Sequence, residues 1–236
     1  MPEEFAGDLA GAEFWGADLS AATFRDVNLT GVRISHAWVV DVEIDAVVEG
    51  LTVNGVDVTE YVNARDPWYR IRTAQRAGTA DEMRSAWVAV TDAWAPTIAR
   101  VRELPAEVAH TRVAGEWSFV ETVRHLLMAT DKWFTAPILG GTFHAYGLAN
   151  TGSASFEFPG LDPAAAPTLD EVLAARAERG ATISEYLSGV TDGDLDRTVD
   201  VLENGPHTVR QCLTTVFEEE FWHLRYAHRD LATLAG

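Results

Sequence analysis

Two hydrophobic periods run along the chain. In the first segment Phe14, Leu19, Phe24, Leu29 and Ile34 recur every five residues, with Leu9 before them and Val39 and Ile44 after. Small or β-branched residues stand two positions ahead of each: Ala12, Ala17, Ala22, Val27, Val32, Ala37 and Val42. A period of five fits neither a helix nor a strand, so it reads as a stacked repeat. "LTVNGVDVTEYVNAR" then reads as a short hairpin around Asn-Gly that leads into a connector. From residue 79 the period turns helical, with Met83, Trp87, Val90, Trp94, Ile98 and Val101 forming one stripe. Four segments open with the same capping pattern: Thr79 with Glu82, Ser118 with Glu121, Thr168 with Glu171, and Thr208 with Gln211. They predict helices from 79 to 103 with a kink at Pro96, from 118 to 134, from 168 to 190, and from 208 onward. Four capped amphipathic helices predict a four-helix bundle. The connection over residues 136–167 is long enough to mark either function or disorder.

The five-residue pattern resembles the pentapeptide-repeat family, whose motif is A(D/N)LXX. That resemblance implies a right-handed quadrilateral β-helix with both apolar positions pointing inward. The expected fold is therefore mixed and mainly α. Residues 1–64 hold the repeat unit with its hairpin and connector, and residues 65–236 the helical domain. Eight or so repeats supply only about two coils, and the open end needs a cap because each coil buries its face on its neighbours.

Composition narrows the function classes. A chain of 236 residues can bury a sizeable core. A formal charge of −18 and the lack of any Lys/Arg cluster exclude ordinary nucleic-acid binding, since a phosphate backbone needs a basic surface. The basic residues are arginine except for Lys132, a bias expected of a GC-rich genome. The single cysteine, Cys212, excludes an internal disulfide and fits a reducing cytoplasm. No apolar run approaches a membrane span, and "MPEEFAGDLAG" lacks the basic and apolar regions of a signal peptide. The expected location is the cytoplasm.

One stretch conflicts with its surroundings. "TVFEEEFWHLRYAH" places three glutamates inside an otherwise apolar helix. Val209, Cys212, Leu213, Val216, Leu224, Ala227, Leu231 and Leu234 define the buried arc. His223 falls inside it, Glu219 at its edge and Glu220 near its centre, while His228 lies to one side. None of the glutamates has a Lys or Arg three or four positions further on, so helix ion pairs do not account for them. A buried carboxylate needs a positive partner, either an arginine from another helix or a metal ion. Glu219-x-x-x-His223 puts two candidate ligands on one face, and a third would have to come from elsewhere. Spacing favours Glu219 as the carboxylate and burial favours Glu220.

The region from residue 79 onward resembles the DinB-like (YfiT/mycothiol-dependent enzyme) superfamily, whose four helices build a mononuclear metal site. "EWSFVETVRHLLMATDKW" matches the family's helix-two element and points to His125. The usual helix-four pair is His-x-x-x-His, but Ala227 stands where a pair starting at His223 would need its second histidine. Glu219-x-x-x-His223 is similar to the variant of the mycothiol-dependent maleylpyruvate isomerase branch. The resemblance thus implies His125, Glu219 and His223 as ligands of a divalent ion, zinc or nickel. It also implies a low-molecular-weight thiol such as mycothiol as co-substrate, and transfer, isomerisation or hydrolysis on a small electrophile. On the helical wheel, however, His125 lies off the main apolar arc of Val120, Val123, Leu127, Thr130 and Phe134. Arg225 and Tyr226 stand one turn beyond the ligands. Trp117, Trp133, His144 and Tyr146 are candidates for an aromatic pocket under the long loop, while His110 and His144 read as loop histidines rather than ligands. The alternative function is a non-catalytic, metal-stabilised scaffold whose repeat unit mediates protein binding or homodimerisation.

Overall fold

A computed structural model describes residues 5–24, 27–150 and 157–234. It divides into two compact units, Met1–Asp45 and Ala46–Gly236.

In the first unit the repeat is visible as a regular series of turns. Asp8, Asp18 and Asn28 accept from the backbone N–H of Ala10, Ser20 and Thr30, each at 2.9–3.0 Å. The carbonyls of Leu9, Leu19 and Leu29 accept from Ala12, Ala22 and Val32. The expected β-helix does not appear: among the described residues no strand ladder joins successive coils. The apolar repeat positions stay exposed, 63% for Phe14 and 74% for Ile34. Two coils give each apolar row too few neighbours to cover it, which is the cost of a very short stack.

The second unit opens with the expected hairpin, β1 (Thr52–Val53) antiparallel to β2 (Val56–Asp57). Asn54 and Gly55 both take positive φ (51° and 80°), as a tight two-residue turn requires. Short helices α1 (Thr59–Asn63) and α2 (Tyr69–Ala74) follow. Four long helices then supply most of the core: α3 (Ala80–Glu103), α4 (Phe119–Thr130), α6 (Leu169–Gly189) and α8 (Val209–Leu234). The first three carry their full capping boxes, and Thr208 and Gln211 exchange the equivalent bonds at the start of α8. Helix α3 continues through Pro96. Helices α3 and α4 each pack against both α6 and α8. Val90, Val123, Phe134, Val172, Leu213, Phe217 and Leu224 are fully buried between them.

One feature interrupts an expected helix, and two lie between the helices. Residues Asp131–Thr135 form a π turn after α4, and α5 (Ala136–Leu139) completes it. A short helix α7 (Asp192–Leu195) precedes a second hairpin, β3 (Thr198–Val201) paired with β4 (Gly205–Thr208) across a 3-10 turn at Leu202–Asn204. The long connection beyond α5 folds back onto α4, although its residues 151–156 lie outside the described residues. Leu148 N–H donates to the Arg124 carbonyl, Arg124 Nε donates to the Tyr146 carbonyl, and His144 N–H donates to Asp131. Gly160 passes so close to the Phe143 carbonyl that a Cβ would lie 2.4 Å from its oxygen. Among the described residues no helix is long and apolar enough to cross a membrane.

Candidate metal centre

Helices α4 and α8 pack side by side and bring three of the candidate residues together. His125 projects from α4, and Glu219 and His223 from successive turns of α8. One nitrogen or oxygen from each lies within 4.8 Å of the others. Glu219 Oε2 is 3.4 Å from His125 Nε2 and 3.3 Å from His223 Nδ1, and the imidazole centroids are 4.8 Å apart.

The hydrogen bonds around the cluster decide which ring nitrogens are protonated. His125 Nδ1 lies 3.1 Å from the Leu148 carbonyl, and His223 Nδ1 lies 2.8 Å from the Glu219 carbonyl. A carbonyl only accepts, so each Nδ1 carries a proton and each neutral ring keeps a lone pair on Nε2. His125 Nε2 then faces Glu219 Oε2 as one acceptor facing another. Such a contact needs a second proton on the ring or a cation between the two atoms. Four ligands at the usual zinc distances stand about 3.4 Å apart along a tetrahedron edge, the spacing of His125 Nε2 from Glu219 Oε2.

The electrostatics are consistent with a site built for positive charge. Burial pushes the Glu219 carboxyl up, but His125, His223 and Lys132 outweigh it and hold the group below the usual carboxylate range. Burial and the neighbouring His125 charge push His223 down, with Glu219 opposing in part. Trp117 covers the cluster, its ring centroid 4.6 Å from that of His125 and 6.2 Å from that of His223.

Glu220 belongs to a different arrangement. It is 2% exposed and takes a salt bridge from Arg176 of α6, whose guanidinium stacks 4.6 Å over the Trp94 ring. One of the expected devices is present: an arginine faces Glu220, while Glu219 faces the two histidines. His125 is 4% exposed despite lying off the apolar arc. The arc describes contact with other helices, whereas His125 is covered by the loop around Leu148 and by Trp117.

Most of the remaining candidates lie apart from the three. His110 is exposed, and His144 pairs with Tyr146 in the loop at 4.9 Å. His228 packs edge-on against Trp68, and Trp133 edge-on against His207. Tyr226 is exposed and meets the His223 ring edge-on at 5.8 Å, while Arg225 stacks over Phe221 and Trp222. The sequence reading missed Leu148, whose backbone carbonyl leaves no side-chain signal, and the buried Asp131. Asp131 binds Arg179 Nε at 2.7 Å and anchors the loop through His144 N–H.

A mainly helical protein with a His/Glu/His cluster between two core helices, preceded by a five-residue repeat, is the class defined by this architecture. The chain belongs to the DinB superfamily, whose family model matches residues 89–227, and eight copies of the pentapeptide repeat match residues 8–41. The matched helical region contains all three members of the cluster. A search of the curated proteins and a search of the solved structures each give no match.

Proposed function

We propose that His125, Glu219 and His223 hold a divalent metal ion, zinc or nickel, inside a DinB-type four-helix bundle. The protein is then a metal-dependent enzyme acting with a low-molecular-weight thiol, such as mycothiol, on a small electrophile, as a transferase, isomerase or hydrolase. The observation that carries this reading is the pair of acceptors, His125 Nε2 and Glu219 Oε2, held 3.4 Å apart by a ring whose other nitrogen is committed to Leu148. Three protein ligands leave coordination positions open, the layout of a catalytic site. A bound ion of this kind lowers the pKa of a water or thiol placed in an open position. The protein's part is to orient the ligands through the Leu148 and Glu219 carbonyls and to limit water with Trp117.

The thiol would come from solution. Cys212 is fully buried and its thiol is pushed up to about 11 by desolvation, so the chain carries no thiolate of its own at neutral pH. A reducing cytoplasm suits that requirement. The test is thermal unfolding of zinc- and nickel-loaded protein against a panel of small thiols. Metal-dependent protection by one thiol supports the reading. Protection by none, with a sharp fall in melting temperature on chelation, supports a structural ion instead.

The exposed repeat favours a second role. Trp38 is 95% exposed, and the apolar rows around it lack cover within residues 5–45. We infer that this unit associates with a second copy. Solution mass unchanged by Trp15→Ser and Trp38→Ser would count against it.

A further inference from the structure

We infer that Lys132 forms an anion-binding subsite beside the candidate metal centre, so that the ligand taken there carries a carboxylate or similar anionic group. This rests on the metal reading above. Lys132 is the only lysine in the sequence. The shielded carboxylates Asp66, Asp131, Glu220 and Asp230 are each held by an arginine: Arg72, Arg179, Arg176 and Arg229. Arginine suits a permanent pair because its planar fork fixes both partners, whereas an ammonium is a point charge with rotatable donors that exchanges partners readily. The one departure from arginine falls beside the cluster.

Its placement supports exchange. Lys132 belongs to the π turn, which packs on α8, and irregular turns of this kind inside helices recur at functional sites. Lys132 is 8% exposed, lies against the Trp133 ring, stands seven residues (about two turns) beyond His125 along the same helix, and its charge helps to hold the Glu219 carboxyl down. Its partner is Glu203 Oε1 at 2.5 Å, from the exposed 3-10 turn joining β3 to β4. The preceding residue, Leu202, holds a φ of 40°, a strained conformation for a branched side chain. A buried ammonium is therefore covered by a carboxylate from a surface turn. Two histidines and one glutamate around a divalent ion carry a net charge of +1, and Lys132 adds to it. An anion can take the place of Glu203 on the ammonium.

The test uses the full chain loaded with cobalt(II), whose visible absorption reports thiolate coordination. The probes are mercaptoacetate, 3-mercaptopropionate and 4-mercaptobutyrate, with neutral 2-mercaptoethanol as control. Lys132→Met is expected to weaken the best-fitting mercapto acid by about tenfold while 2-mercaptoethanol shifts less than about twofold, as loss of one charged hydrogen bond predicts. Glu203→Gln, which frees the ammonium, is expected to tighten the acid several-fold, a gain that misfolding cannot imitate. The double variant Lys132→Met/Glu203→Gln repeats the loss without leaving Glu203 unpartnered. Wild-type protein that takes up no cobalt would remove the metal reading and the subsite together. Cobalt uptake with acid and neutral thiols weakened alike, or neither affected, would remove the subsite alone.

Discussion

Replacing Arg176 by methionine isolates the contact that makes a glutamate-rich stretch of α8 tolerable in the core. Glu220 is 2% exposed and the Arg176 side chain 14%, so the pair lies on the buried scale rather than the surface one. Removing one member of a buried pair costs about 3–5 kcal/mol because the other charge is stranded, compared with about 0–1 kcal/mol for an exposed pair. For a helical unit of this size the loss corresponds to a fall in Tm of about 6–20 °C. The pH dependence follows from Glu220. Burial raises its pKa above the ordinary 4.5 even with Arg176 opposing, and Arg176→Met removes that opposition. A carboxyl whose folded-state pKa is raised destabilises the fold once it must ionise, so the deficit is largest at neutral pH and shrinks as pH falls toward 4.5. Arg176→Met/Glu220→Leu, which removes both charges, should recover most of the loss. Urea unfolding followed by tryptophan fluorescence between pH 5 and 8 measures all three effects. An Arg176→Met deficit below about 1 kcal/mol, or one that grows on acidification, would refute the assignment of Glu220 to the arginine.

Other outcomes follow from the same structure. Arg112 above all, with two bonds at the Ser118 cap, holds Glu121 down to about 2 against an opposing push from burial that only the Arg112 bond exceeds. A depressed carboxyl stabilises the fold above its unfolded value and loses that contribution as pH falls from 4.5 toward 2. Glu121→Gln should therefore flatten the acid limb of the stability profile in that window, and an unchanged limb would contradict the cap geometry. Cys212 should resist a thiol-specific reagent in native protein and react only at the rate of unfolding; rapid native labelling would show that the core around α8 opens locally.

Much of the helical unit was legible because its signals are local. A capping box is written in two residues three apart, and Thr79, Ser118, Thr168 and Thr208 all start helices where they predict. Glu219 and His223 were legible for the same reason, as a four-residue spacing on one helix. Which of Glu219 and Glu220 faces the histidines was not, because it depends on Arg176, which lies on another helix and has no fixed sequence relation to either. The cover over His125 was hidden for a similar reason: it comes from a loop carbonyl more than twenty positions away. The β3–β4 hairpin did leave a trace, since "TVDVLENGPHTV" alternates around Asn-Gly, but the helical pattern on either side masked it. The π turn has no such signature. The repeat shows the opposite case: its period is plain in the sequence, yet a period alone does not supply the neighbours that would bury its apolar rows.

Metal content decides the central claim most directly. Full-length protein equilibrated with zinc and then freed of unbound ion should retain about one equivalent per chain by elemental analysis. His125→Ala and Glu219→Gln should lose it, while Glu220→Gln, outside the cluster, should keep it. Zinc-free wild type, or a His125→Ala protein that retains its equivalent, would mean that no ion bridges α4 and α8 at these residues.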